Sequence, residues 1–247
     1  MKAFVHHIKL QWLLDLRNRN VLLPFYVIPL IFFIVMSAVF NSIMTDYGDV
    51  LIPSMIVFSI TMAAVLGMPI SLNEVYGTDI KKMFHLGNIP SYVPMLSSVI
   101  SSFIHFLILS IIIIVFGKLI YNANLPDNLF LFIVSLISFI LASEGVGLLI
   151  GVFAKKASDI TILGQAVFLP SVILSGAMFP SSMLPSFLQY ISYVLPASLG
   201  MKIMPQTEDF NIWIFIIMLA IFIAALSISF FKTKKIWFSF LSKKSFN

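Results

Sequence analysis

The chain has no cysteine, and only 10% of its 247 residues are charged. The first absence excludes disulfides, thiolate chemistry and cysteine-held metals, and leaves the redox compartment unreadable. The second is far below the roughly 25% charge of soluble domains. Together with 60% hydrophobic residues and a mean hydropathy of +1.06 it excludes an ordinary water-soluble fold. Enzyme signatures are missing as well. There is no G-x-x-x-x-G-K-[ST] phosphate loop, no H-E-x-x-H, no G-x-S-x-G and no carboxylate pair on one helix face. The chain is therefore expected to bind no nucleotide or cofactor itself and to be no enzyme. His6 and His7 stand side by side with no third ligand and make a poor metal site.

What is present is a series of apolar runs near the roughly 20 residues that cross a bilayer. They cover 21–42, 50–72, 95–117, 129–153, 160–179 and 212–231. The chain reads as an all-α integral membrane protein, one transmembrane domain over 1–247 with six spans and short connections. In residues 1–20, Phe4, Val5, Ile8, Trp12, Leu13 and Leu16 recur at helical spacing among Lys2, Lys9, Arg17 and Arg19. That is the pattern of an amphipathic helix lying in the membrane interface. It is not a cleavable signal, because the apolar run after it is too long and no A-x-A site follows.

Placing the N-terminus inside puts all Lys and Arg except Lys118 and Lys202 on the cytoplasmic side. The positive-inside rule then sets both termini, including the tail 232–247, in the cytoplasm. The net charge of +5 sits beside spans rather than in an aromatic-interleaved patch, so no nucleic-acid partner is expected.

Two stretches depart from simple spans. Between 164 and 205 the apolar chain is broken by Pro170, Gly176, Pro180, Pro185, Pro196, Gly200 and Pro205. The fifth span is expected to end near Phe179. A short helix opened by Ser182 and Pro185 then covers Phe187 to Leu195 and is halted by Pro196. Such a piece rises only about 15 Å, so 180–205 reads as an external re-entrant hairpin. Its aromatics Phe187, Tyr190 and Tyr193 suit interface anchors. The other departure is the polar segment 73–90. Gly77 can end one helix and Thr78 or Asp79 can cap the next. Ile80, Met83 and Phe84 then form a small apolar face beside Lys81 and Lys82, before Gly87 and Pro90 close it. Either a docking peg or an ordinary basic loop fits that pattern.

Inside the spans, Glu144 is an ionisable group at mid-depth, by default a functional hypothesis. His105 in the third span is its candidate partner, and packing groups are the alternative. Ser143, Gly147 and Gly151 recur every four residues and allow another helix to approach closely, within the subunit or across a dimer.

The order Leu174-Ser175-Gly176, Pro180, Leu184-Pro185, Leu188-Gln189, Pro196 and Lys202 resembles the stretch before the last helix of ABC-2 type transporter permeases. Glu74, Gly77 and Thr78 resemble that family's E-x-x-G-T loop, and residues 1–20 fall where its elbow helix lies. The resemblance implies the membrane subunit of a bacterial ATP-driven exporter in the plasma membrane. Its partners would be ABC ATPase subunits carrying ATP and Mg, a second permease copy or homologue, and membrane lipid. Its cargo would be hydrophobic or amphipathic: an antimicrobial peptide, peptide toxin or lipophilic drug. Glu74, Gly77, Thr78, Ile80, Lys81, Lys82, Met83 and Phe84 would couple to the ATPase. Gly176, Pro180, Pro185, Phe187, Tyr190 and Pro196 would form an external gate. His105, Glu144 and Gly147 would serve the pathway or packing. The alternative is an ion-coupled secondary transporter using Glu144 and His105.

Overall fold

A computed structural model describes residues 2–43, 48–78, 80–87, 89–179, 183–205 and 210–244. Asp46, Asp79, Pro180 and Ser182 lie outside the described residues. Among the described residues there are helices and turns and no strand. Among the described residues six helices are long and apolar enough to cross a membrane: Arg19–Phe40, Gly48–Tyr76, Tyr92–Tyr121, Leu129–Phe153, Ala157–Ser175 and Ile212–Lys235. The protein is thus an all-helical, multi-pass membrane protein. Four shorter helices accompany the spans: Lys2–Arg17, Ile80–Leu86, Ser186–Ser192 and Pro196–Ile203.

The bundle is built around span 2. Of its most apolar window 89% is buried, against 17% for span 6. In lipid, helices gain nothing by hiding apolar surface from one another, so association depends on close packing. Glycines supply it. A Cβ on Gly147 would overlap the Ala64 carbonyl oxygen, and one on Gly151 would sit 2.8 Å from Leu72 and 3.0 Å from the Cα of Pro69. The small-residue stripe of span 4 therefore packs inside the subunit, against span 2. Gly164 of span 5 lies equally close to Leu66, where a Cβ would come within 2.6 Å.

Spans 1 and 2 each contain one π-turn, at Leu23–Val27 and Ala63–Gly67. Prolines explain both. A helical proline lacks the N–H that would bond the carbonyl four residues back, and its ring crowds that carbonyl. For Pro29 and Pro69 those carbonyls belong to Phe25 and Val65, inside the two π-turns. The widened turns close instead through Ile28 N–H to Leu23 C=O and Met68 N–H to Ala63 C=O. They face each other, with the Phe25 ring lying where a Cβ on Gly67 would be.

Three sequence expectations need correction. Span 5 ends at Ser175, four residues before Phe179, because Gly176 takes the left-handed conformation (φ 85°) that terminates helices. Pro196 does not merely halt a helix. The first hairpin helix has already ended at Ser192, and Pro196 opens a second one at its first position, where a missing N–H costs nothing. That second helix is wedged into the bundle. Its Pro196, Ala197, Leu199 and Gly200 are buried, and Gly200 meets the Phe139 ring of span 4. Finally, the last helix does not stop near Phe231 but runs on through residues 232–244 of the expected tail, as Ile212–Lys244.

Gly147→Ala is expected to force spans 2 and 4 apart and lower the melting temperature in detergent by a cost of about 1–3 kcal/mol or more. Gly145→Ala is the control. Its Cβ would meet Ala225 and Phe222 of span 6 at 3.2 Å, close but not prohibitive, so a much smaller shift is expected.

Candidate functional site

The coupling candidates gather at the end of the bundle where the N-terminal helix packs against the start of span 3 and the end of span 2. The N-terminal helix presents an unexpected face. Gln11 and Asp15, one turn apart, are buried, while Val5, Leu10, Leu13 and Leu14 point outward. Outward apolar residues on such a helix suit contact with lipid. The inward carboxylate accepts at both oxygens. Oδ1 takes hydrogen bonds from Ser71 Oγ (2.8 Å) and Gln11 Nε2 (3.0 Å), and Oδ2 takes one from Ser101 Oγ (2.6 Å). Asp15 thus ties this helix to spans 2 and 3 at once. Burial raises its carboxyl above the ordinary range, and the hydrogen bonds from Ser101, Ser71 and Gln11 oppose that rise. Sequence reasoning missed it by following the apolar residues. The i, i+4 pairing of Gln11 with Asp15 opposite a serine-rich span was the available signal.

The segment joining spans 2 and 3 is held at several points. Tyr76 Oη donates to the Ser91 carbonyl (2.6 Å) and accepts from the Met95 amide (3.1 Å), pinning both ends. Gly77 ends span 2, and a Cβ there would clash with the Asn73 carbonyl at 2.6 Å. Thr78 Oγ1 donates to the Glu74 carbonyl and accepts from the Ile80 amide (3.3 Å), which ties the end of span 2 to the start of the next helix; Asp79, the other cap candidate, lies outside the described residues. Glu74 belongs to the last turn of span 2 rather than to a loop, and Asn18 Nδ2 donates to its carboxylate.

Helix Ile80–Leu86 carries Lys81 and Lys82 on its first turn. Its expected apolar face is split. Phe84 turns inward onto the His7 ring (centroids 5.2 Å apart), while Ile80, Met83 and Leu86 are exposed, Met83 to 70%. His7 is held by Ser97 Oγ at 2.9 Å, and burial, followed by the charge on His6, lowers its pKa. Between the N-terminal helix and this short helix runs a groove of about 330 Å³ bordered by Leu10, Leu14, Arg17, Glu74 and Phe84.

Deeper in the bundle Glu144 is fully buried, and Ser102 Oγ donates to its Oε1 at 2.8 Å. His105 lies one turn from Ser102 on the same helix, but its Nδ1 is bonded to Tyr26 Oη (2.7 Å) and its ring is stacked with Trp12. No hydrogen bond joins Glu144 to His105 among the described residues. The two groups therefore do not pair. Adjacent serines, Ser101 and Ser102, hold two different buried carboxylates. Among the described residues no three His, Asp or Glu side chains converge on a metal-binding geometry.

At the opposite end, Asn124 bonds the Gly48 carbonyl and Asp49 (3.1 and 2.8 Å), joining two connections. The gate candidates divide. Phe187 and Tyr190 are exposed, Pro185 caps the first hairpin helix, Gly176 ends span 5 in the left-handed conformation, and Pro196 is buried at the start of the second hairpin helix. Pro180 lies outside the described residues. Lys202 Nζ sits 3.7 Å from the centre of the Tyr193 ring, linking the two hairpin helices.

A family model described as "ABC-2 type transporter" matches residues 2–208 of the chain. A search of curated proteins finds no match.

Asp15→Ala leaves the Ser71 and Ser101 hydroxyls without their acceptor, each costing about 1–3 kcal/mol, while Gln11 keeps its bond to Ser71 Oγ; it is expected to lower the detergent melting temperature far more than Asp15→Asn. Because the folded carboxyl value is raised, Asp15 contributes its full stability below the ordinary carboxyl range and loses it as pH rises through the raised value. The melting temperature should therefore decline from about pH 4 upward, and the decline should be shallower in Asp15→Asn.

Proposed function

The chain belongs to the ABC-2 type transporter family, and from that premise we propose that it is the permease subunit of a bacterial ATP-driven exporter. A permease subunit of an ABC-type transporter follows from the family. The separate ATPase, the outward direction and the cargo are the added steps. The chain itself performs no hydrolysis on this reading; ATP and Mg belong to the partner ATPase.

One observation carries it. The short helix Ile80–Leu86 is anchored on one side by Phe84 against His7 and offers Ile80, Met83 and Leu86 to the outside. An anchored helix with an exposed apolar knob is suited to seat in a partner's cleft. Its motion has two routes inward. The first is the Phe84–His7 contact to the N-terminal helix and on through Asp15 to spans 2 and 3. The second is the capped Gly77–Thr78 turn into Glu74 and span 2. ATP binding would close two docked ATPase subunits, and their different contacts in the open and closed states would bias the spans.

On this reading both termini face the cytoplasm of a bacterial plasma membrane and the hairpin faces outside, with Phe187 and Tyr190 positioned to gate exit. A second permease copy or homologue completes the path, and the outer faces meet lipid. A hydrophobic or amphipathic cargo suits walls of Ile, Phe and Met. The ion-coupled alternative asks Glu144 and His105 to act as a relay, yet each is committed to a different partner.

The native absence of cysteine makes the topology directly measurable. Met83→Cys should react with a membrane-impermeant maleimide only from the cytoplasmic side, and Phe187→Cys only from outside; the reverse pattern would overturn the orientation. Met83→Asp should abolish co-purification with a co-expressed Walker-type ATPase while leaving the melting temperature unchanged. Retained ATPase binding would remove the docking assignment.

A further inference from the structure

Spans 1, 2 and 5 part at the end near the N-terminal helix to leave a cleft of about 430 Å³. It opens beside both π-turns. Leu23 belongs to the first and Leu66 to the second, and with Ile70 they form an apolar wall. The opposite rim is polar but uncharged, with Thr161 and Gln165 of span 5. Among the described residues that line the cleft, Glu74 is the one ionisable group and there is no Lys or Arg. Asn18, which bonds the Glu74 carboxylate, supplies a neutral carboxamide rather than a positive charge. The carboxylate is therefore free to take a cation from the cleft side.

We propose that this cleft binds a cationic amphipath, with its apolar body against Leu23, Leu66 and Ile70 and its ammonium, guanidinium or phosphonium centre at Glu74. A carboxylate at the mouth of an apolar pocket attracts a positive head and repels an anion of the same shape. The carboxamide and hydroxyl on the rim can satisfy a hydrated head group without selecting its sign. Selection therefore falls to Glu74. The same residue also borders the groove against Ile80–Leu86, and its backbone carbonyl holds Thr78. Occupancy of the cleft is thus felt at the segment assigned to ATPase docking. This narrows the cargo class of the exporter reading and rests on the permease role, but not on where the ATPase docks.

The test is equilibrium binding of radiolabelled tetraphenylphosphonium to the permease–ATPase complex in nanodiscs, with tetraphenylborate as the anion of matching shape. Saturable phosphonium binding is expected, at least tenfold tighter than borate. Glu74→Gln should weaken it about tenfold and erase the preference for the cation, whereas Glu74→Asp should largely preserve it. Leu66→Trp, which fills the cleft without touching the carboxylate, should abolish binding of both ions. Gln165→Lys adds a repelling charge on the opposite rim and should weaken phosphonium binding even if Glu74→Gln fails to fold. Equal affinity for the two ions, or an unchanged phosphonium Kd in folded Glu74→Gln, overturns the proposal. ATPase co-purification retained in Met83→Asp, with phosphonium binding intact, would instead count against the docking assignment and leave the cleft standing.

Discussion

The backbone contact between Gly147 and Ala64 is the constraint from which the rest of the bundle follows. In a bilayer there is little to gain by moving leucine from lipid to protein, so a helix is buried only where its neighbours can come close enough for backbone packing. Gly147, Gly151 and Gly164 line up toward span 2 and let spans 4 and 5 do so. The second hairpin helix fills the remaining angle with Gly200 against Phe139. Span 6 has one such contact, through Gly145, and stays largely on the outside.

Burying polar groups in the bundle has a cost, because serines and carboxyl groups then lie far from water and need partners within the protein. The serine-rich start of span 3 provides many of them. Ser97 holds His7, Ser101 holds Asp15 and Ser102 holds Glu144. The result joins the N-terminal helix to the bundle by side-chain polarity rather than by its apolar stripe. Such buried polar contacts are directional, so they fix the angle of the helix as well as its attachment.

The number and approximate position of the spans were legible because hydropathy over about 20 residues is a strong signal. Gly77 as a helix end was legible from turn chemistry alone. Proline proved ambiguous, since the same residue ends one helix and begins another. At Pro196 only the packing of the following residues decides. The inward face of the N-terminal helix was hidden for a different reason. Periodicity shows which residues share a face but not whether that face meets lipid or protein, and here Gln11 and Asp15 take the protein side. The Glu144–His105 pairing failed on geometry. Two ionisable groups at similar depth on neighbouring helices need not meet, and Ser102 and Tyr26 take their places.

The last helix runs unbroken from Ile212 to Lys244, 33 residues. At 1.5 Å per residue it is about 50 Å long, some 20 Å more than the hydrocarbon layer. Its final turns accordingly leave the bilayer as a stiff mast. Whatever is fused or bound at that end inherits a fixed stand-off and heading from the membrane, and rotation of span 6 against Gly145 would swing it through a wide arc.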